Sequence, residues 1–208
     1  MRNDIPLSVY VYVPKLLCKN IYTISEKLSK KVESKFSYTK NIYRPHFTLS
    51  FGLFPQKNVE RVTDIIRSIT FSPFRIFADN VSIDKGGFFK YVPSQGYENV
   101  CALHEEILEK LNPLREGVLR EKYQNLDDEE YTQRDRELIQ KYGRRWVREQ
   151  YEPHITIMKI EKKNIPRARK LIKNLRVPKL EFIANEIALI KQKYDRYPES
   201  DDEFQRLL

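Results

Sequence analysis

Two of the three histidines in this 208-residue chain stand in the same frame, Pro45-His46-Phe47-Thr48-Leu49 and Pro153-His154-Ile155-Thr156-Ile157. Imidazole is the side chain best matched to proton transfer near neutral pH, because its unperturbed pKa is about 6.5. On an extended segment the residue two positions on returns to the same face, so each histidine shares a face with a threonine hydroxyl. A hydroxyl there can hydrogen-bond the non-bridging oxygens of a phosphate. If the two polar faces look at each other, His46, His154, Thr48 and Thr156 converge on one small volume. One imidazole then takes a proton from an attacking water or hydroxyl, and the other gives one to the leaving oxygen. The reading leans to His154 as base and His46 as acid, and the symmetry of the motifs leaves the reverse open. A single His-x-Thr on a strand is a common accident; two copies with matching flanks are not.

Other chemistries fit less well. Two histidines alone rarely hold a catalytic zinc, and only Glu152, on the same face as His154, offers a third ligand nearby. No metal or cofactor is expected. Cys18 and Cys101 lie outside any metal spacing and read as free buried thiols. Six glycines leave no G-x-G-x-x-G or G-x-x-x-x-G-K-[ST] loop, and there is no nucleophile elbow.

The elements that must position the pair follow from periodicity. Val9, Val11 and Val13 alternate with Ser8, Tyr10 and Tyr12, which predicts a strand over Leu7 to Val13. A basic amphipathic helix is expected from Leu16 to Phe36. The first motif strand puts His46, Thr48 and Ser50 on one face and Phe47, Leu49 and Phe51 on the other. A helix follows over Asn58 to Ile69, then a strand over Phe74 to Ile83. A turn at Asp84-Lys85-Gly86-Gly87 leads to a strand over Phe88 to Val92. Glu98 to Leu111 reads as a helix on which His104, between Leu103 and Glu105-Glu106, is expected to be exposed. The charged stretch 114–143 reads as a mostly helical insert, with a helix start at Asp127-Asp128-Glu129-Glu130. In the second motif strand His154, Thr156 and Met158 share one face, and Ile155, Ile157 and Lys159 the other. A helix over Lys163 to Leu175 and a strand over Leu180 to Gln192 complete the pattern. The tail from Asp195 is expected to cap an edge or to stay mobile. The motif strands fall in halves of similar make-up. The expected fold class is therefore α+β and bilobal, with pseudo-two-fold symmetry and two facing antiparallel-rich sheets, flanked by helices around a central cleft. All 208 residues read as one domain.

The excess of 38 Lys+Arg over 29 Asp+Glu, a net charge of +9, favours a polyanionic partner, of which nucleic acid is the commonest. Arg144, Arg145 and Arg148, around the only tryptophan, Trp146, could grip phosphates. Arg44, Arg145 and Lys159 are named as auxiliary cations. Tyr10 and Tyr12 are named as platforms that could stack a base. No apolar run approaches the ~20 residues that span a bilayer. The opening residues lack a secretory layout, so a cytoplasmic monomer that does not touch membranes is expected.

With its His46-Phe47-Thr48 and His154-Ile155-Thr156 motifs, its paired strand context and its element order, the chain resembles the 2H phosphoesterase superfamily. That superfamily includes the 2′-5′ RNA ligase-like cyclic phosphodiesterases. The resemblance covers nearly the whole chain. It implies a bilobal fold and a metal-independent phosphodiesterase that acts on RNA ends, 2′,3′-cyclic phosphates, cyclic nucleotides or short oligonucleotides. The stretch Tyr142 to Thr156 and the insert before it look like a branch associated with phosphonate utilisation, which leaves a small-metabolite phosphoesterase as an alternative. An RNA-binding module with little turnover is the other.

Overall fold

The alternation of valines with Ser8, Tyr10 and Tyr12 forms the first strand, β1 (Asp4–Tyr12), in a computed structural model that describes residues 4–38, 44–126, 130–193 and 204–208. Pro14 stops it, and α1 (Lys15–Ser29) buries Cys18, Ile21, Ile24 and Leu28 along one stripe. The helix does not reach Phe36 as expected. The chain instead extends into β2 (Ser34–Ser37), whose backbone pairs with a later strand. Val32 and Phe36 keep helical spacing, but both are buried, and the hydrogen bonds of a strand edge outweigh local preference there.

The first motif opens β3 (His46–Pro55), a 3-10 turn spans Gln56–Asn58, and α2 (Val59–Ser68) follows. The expected strand over Phe74 to Ile83 breaks at Asp79 into β4 (Phe74–Ala78) and β5 (Asn80–Ile83). Next come β6 (Phe88–Val92) and α3 (Tyr97–Leu111). The charged stretch folds as 3-10 turns at Asn112–Arg115 and Glu121–Tyr123, and then α4 (Gln133–Tyr142). Of the expected helix start at Asp127 to Glu130, residues 127–129 lie outside those described. The start of α4 is Thr132, in a reciprocal capping box with Asp135. The second motif leads into β7 (Ile155–Ile160), a 3-10 turn at Lys162–Asn164 and α5 (Ile165–Lys173). The long final strand also breaks, at residues 185–187, into β8 (Leu180–Ala184) and β9 (Ala188–Gln192). β10 (Phe204–Arg206) pairs with β9 at the edge, as one of the two fates expected of the tail.

Both breaks let the chain change sheets. β4 and β8 form a two-stranded sheet, whereas β5 and β9 join the large one, ordered β10-β9-β1-β3-β7-β6-β5 with β2 also on β7. The architecture is α+β, antiparallel throughout its pairings, as expected. The two lobes, β10-β9-β1-β3 and β7 with β6, β5 and β2, join edge to edge through one pair, Phe47↔Ile155.

The chain is a duplication. β1-α1-β3-α2-β4-β5 is followed by β6-α3-β7-α5-β8-β9, and under that equivalence the order β9-β1-β3-β7-β6-β5 is a palindrome. The joining pair Phe47↔Ile155 brings together equivalent residues, and so does Ile76↔Phe182 at the centre of the small sheet. A two-fold axis requires this. The repeat is visible in sequence as Lys57-Asn58-Val59-x-Arg61 against Lys163-Asn164-Ile165-x-Arg167. Asn58 (φ −97°, ψ −5°) and Asn164 (φ −95°, ψ −4°) turn the chain identically into α2 and α5. α3 packs on β3 and α1 on β7, and Phe47 and Ile155 are fully buried beside them. The helices therefore cover one face at the junction, and the histidine face lies on the other side.

Candidate active site

The junction places the four motif side chains. In an antiparallel pair, residues flanking Phe47↔Ile155 alternate to the opposite face. His46 then lies across from Thr156, and His154 across from Thr48. His154 is close enough for its charge to help lower the His46 pKa.

Each imidazole is held in the same way. His46 Nδ1 donates to the Arg44 carbonyl (2.9 Å) and His154 Nδ1 to the Glu152 carbonyl (2.7 Å). A carbonyl only accepts, so the proton sits on Nδ1 and each Nε2 presents its lone pair. Both histidines are half-buried. Desolvation holds the His46 pKa down to about 4, with His154 adding to the effect against the Arg44 carbonyl. Desolvation also lowers that of His154, where the Glu152 carbonyl pulls it up and the Lys90 ammonium pushes it down. At neutral pH both imidazoles are neutral.

Both motif strands carry a β-bulge just past the threonine. The β1–β3 register slips between Val9 and Tyr10, passing over Leu49, and the β6–β7 register slips between Phe89 and Lys90, passing over Ile157. Bulges re-aim side chains and favour such positions. They reset the alternation, so Ser50 and Met158 are buried instead of sharing the histidine face, and Phe51 and Lys159 become half-buried. The bulge on β3 is braced from below. Tyr151 Oη donates to the Thr48 carbonyl (3.0 Å), and His104 Nδ1 donates to the Leu49 carbonyl. The two rings stack, with centroids 3.7 Å apart. His104 is therefore not exposed as expected: it is 1% accessible, on the stripe of Val100, Ile107 and Leu111.

The bulged strands pair Tyr10 with Thr48 and Lys90 with Thr156, so the duplication sets a tyrosine in one half against a lysine in the other. Tyr10 is buried and lies flat on His46, with centroids 3.7 Å apart, and Gln192 Nε2 donates to its hydroxyl (2.9 Å). Tyr12 meets His46 edge-on at 6.0 Å. Tyr10 thus packs against a histidine ring, and both named tyrosines line the His46 side. Lys90 is buried, ion-paired with Glu152 and 3.6 Å from Asp84. Sequence reasoning missed it. The signal was a lone lysine inside Phe88-Phe89-Lys90-Tyr91-Val92.

The named cations scatter. Arg44 donates to the Val13 carbonyl (2.6 Å) and lies over Tyr12, at the mouth of the first motif. Lys159 lies over Phe88, 4.4 Å from its centroid. Arg145 pairs with Glu130 and stacks on Trp146. Arg148 is taken up by Glu105, Glu109 and Tyr142. The charge of Arg144 bears on Tyr123, Tyr151 and Tyr10. Among the described residues no group of three or more His, Cys, Asp or Glu is arranged to hold a metal ion. No described helix is long and apolar enough to cross a membrane. Cys18 is buried and Cys101 half-buried, both as free thiols.

Solved structures share this architecture. Escherichia coli LigT complexed with 3'-AMP superposes with a TM-score of 0.62 at 13% identity, over 99% of this chain and 97% of that one. The phosphate complex of the same protein gives 0.61 at 11% identity, over 99% and 95%. A crystal structure of a phosphoesterase gives 0.56 at 11% identity, over 98% and 94%. At such identities the likeness is one of fold, the 2H phosphoesterase-like fold that the motifs implied. No curated protein sequence matches the chain. A family model described as "Protein of unknown function (DUF1045)" matches residues 51–198, and the chain belongs to that family.

Proposed function

We propose that this protein is a metal-independent phosphodiesterase acting on a nucleotide or RNA end, with His46 and His154 as its acid-base pair. The observation that carries this reading is the equivalence of the two His-x-Thr motifs about the Phe47↔Ile155 pair. Each has its Nδ1 tied to a carbonyl two residues back, so proton exchange falls to Nε2. Thr48 and Thr156 bind the non-bridging oxygens between them. Desolvation and Lys90, against the pull of Glu152 and Asp84, keep His154 neutral and able to take a proton. His46 becomes the acid when a bound anionic phosphate draws a proton onto it. The insert 114–143 forms one wall of this single domain. The fold-mate LigT carries 3'-AMP, phosphate or ATP in its crystals, which supports a phosphorylated nucleotide as ligand.

The test is turnover, in EDTA, of 2′,3′-cyclic nucleotides, 3′,5′-cyclic nucleotides, 2′-5′ oligoadenylate and short single-stranded RNA. Wild type is run beside His46→Ala and His154→Ala. Each variant should lose at least about 10²-fold in kcat/KM. Turnover that survives both substitutions, or RNA binding without any turnover by wild type, would overturn the proposal. The second outcome would leave a binding module.

A further inference from the structure

The excess of positive charge is concentrated in one short segment. Residues 162–179, which are α5 and its two flanks, hold eight Lys and Arg and no Asp or Glu, so the rest of the chain carries only +1 of the net charge of +9. All eight side chains are exposed. At about 3.6 residues per turn α5 divides into two halves. Ile165, Ala168, Leu171 and Ile172 turn to the core, and Arg167, Arg169, Lys170 and Lys173 share the opposite side. Arg169 donates to the Ile83 carbonyl (3.1 Å), and Lys163 pairs with Glu33 (2.6 Å). Among the described residues Arg167, Lys170, Lys173 and Arg176 have no carboxylate partner. The fold does not require these charges, as the duplication makes plain. Residues 56–73 are the equivalent segment around α2, and they carry three cations and two carboxylates. The apolar positions correspond, Val59, Val62, Ile65 and Ile66 against Ile165, Ala168, Leu171 and Ile172. Yet Arg169, Lys170 and Arg176 stand where the first copy has Thr63, Asp64 and Thr70. The first copy pairs Arg67 with Asp64 (2.9 Å); the second sets Lys173 and Lys170 at the same spacing with like charge.

Like charges on one helix face repel, and an anionic partner relieves that repulsion. The segment has no aromatic residue, and none of the exposed large apolar side chains, Leu16, Trp146 and Ile183, falls within it. Protein interfaces centre on aromatic and apolar contacts, and membrane-surface helices lay an apolar face into the lipid. The apolar face of α5 is already in the core, so what it offers outward is a set of bare cations. Such a set matches successive phosphates. We infer that the exposed face of α5, continued by Arg176, docks the phosphate backbone of a nucleic acid without reading its bases. This surface is separate from the histidines. All six residues of β7, about 20 Å of strand, stand between His154 and Lys162. Ile165 and Ala168 enter the core that holds Phe47 and Ile155, which point away from the imidazole face. The inference goes beyond the phosphodiesterase reading and does not depend on it.

Fluorescence anisotropy of a labelled single-stranded RNA of about 20 nucleotides, titrated with the intact protein over a range of salt, reads the contact. Arg167→Gln, Lys170→Gln, Lys173→Gln and Arg176→Gln together remove four charges from exposed positions and keep good helix formers there. At about 0.1 M salt this variant should bind about 10-fold or more weakly than wild type, with the slope of log K against log salt shallower by up to about 3. A control with the same change in net charge carries Lys57→Gln, Arg61→Gln, Arg67→Gln and Lys110→Gln, and should bind as wild type does. Unlabelled RNAs of unrelated sequence should compete equally. The inference is overturned if the α5 variant binds like wild type, if the control loses as much, or if one sequence competes far better than the rest. Wild type that binds phosphatidylserine vesicles and no RNA also overturns it. Hydrolysis of a small cyclic nucleotide, which does not reach α5 from the histidines, should be unchanged in the α5 variant. If wild type cleaves no diester, the phosphodiesterase reading fails and this surface stands; if it cleaves one and the α5 variant still holds RNA as wild type does, only the surface is misassigned.

Discussion

His104 sits 1% exposed beneath β3, stacked on Tyr151, with Nδ1 donating to the Leu49 carbonyl and no partner for Nε2. Protonating Nε2 would put a cation in the core, in the field of Arg144 and Arg148. Burial first and those guanidiniums second, against the Leu49 carbonyl, hold its pKa down to about 4. The unfolded chain titrates near 6.5, so it takes up this proton before the native state does. Stability from the neutral form is therefore complete above about pH 6.5 and is lost as pH falls towards 4. The gap between about 6.5 and about 4 corresponds to about 3 kcal/mol, as an upper figure. His104→Phe removes this titration and keeps a ring on Tyr151. It also leaves the Leu49 carbonyl without a donor, so near neutral pH the variant should be about 1–2 kcal/mol less stable. Urea unfolding followed by circular dichroism, repeated from about pH 7 down to about 4.5, reads both effects. Between about pH 6 and 5 the variant's stability should fall less steeply than wild type, by up to about 1.4 kcal/mol per pH unit, so that the deficit narrows as pH drops. His46 and His154 titrate in both proteins and cancel. Parallel curves for the two proteins would refute the reasoning.

Two more predictions concern the site and its wall. Lys90→Met leaves Glu152 and Asp84 facing His154 without the ammonium, so the pKa of that histidine should rise. The acid limb of kcat/KM should then move to higher pH; an unmoved limb would separate Lys90 from the base. Gly143→Ala forces a methyl into left-handed backbone (φ 75°) and against Arg115, which should cost about 1–3 kcal/mol. The thermal midpoint should drop by several degrees, and a midpoint equal to wild type would show that the turn gives way freely.

The parts of this fold that were legible in sequence are those where one local rule sufficed. Alternating valines gave β1, helical stripes gave α2, α3 and α5 to within two residues, and the doubled His-x-Thr frame gave the four motif side chains. The rest depends on pairing. The spacing of Val32 and Phe36 fits a helix until β7 offers an edge. Each bulge adds one residue, Leu49 or Ile157, to a run that still looks like plain alternation, so the faces of Ser50, Met158 and Lys159 came out reversed. Arg145 and Arg148 are residues of the same type in one turn, and only the fold gives one to Glu130 and the other to Glu105. Two signals were present but unread. His104 lies four residues after Val100 and three before Ile107, squarely on the apolar stripe. Lys57-Asn58-Val59-x-Arg61 returns as Lys163-Asn164-Ile165-x-Arg167, marking the duplication without any structure.

That duplication explains why the two motifs stand in near-identical halves, and the departures from it set the surroundings of the two histidines apart. A perfect two-fold would put the same group beside both histidines, and neither would be committed to giving or taking a proton. Here the residue paired with the motif threonine is Tyr10 in one half and Lys90 in the other. The neutral ring desolvates His46, while the ammonium bears on His154 through its charge. The second departure is larger. β2 leaves α1 and closes on β7 in the first half, whereas the corresponding connection in the second half is the 3-10 and α4 segment that ends at Arg144. One copy of the connection completes a sheet, and the other ends in the arginine-rich turn that precedes the second motif. In the proposed phosphodiesterase, the symmetric part of the chain supplies the two imidazoles for proton transfer, and its asymmetric part makes their surroundings differ.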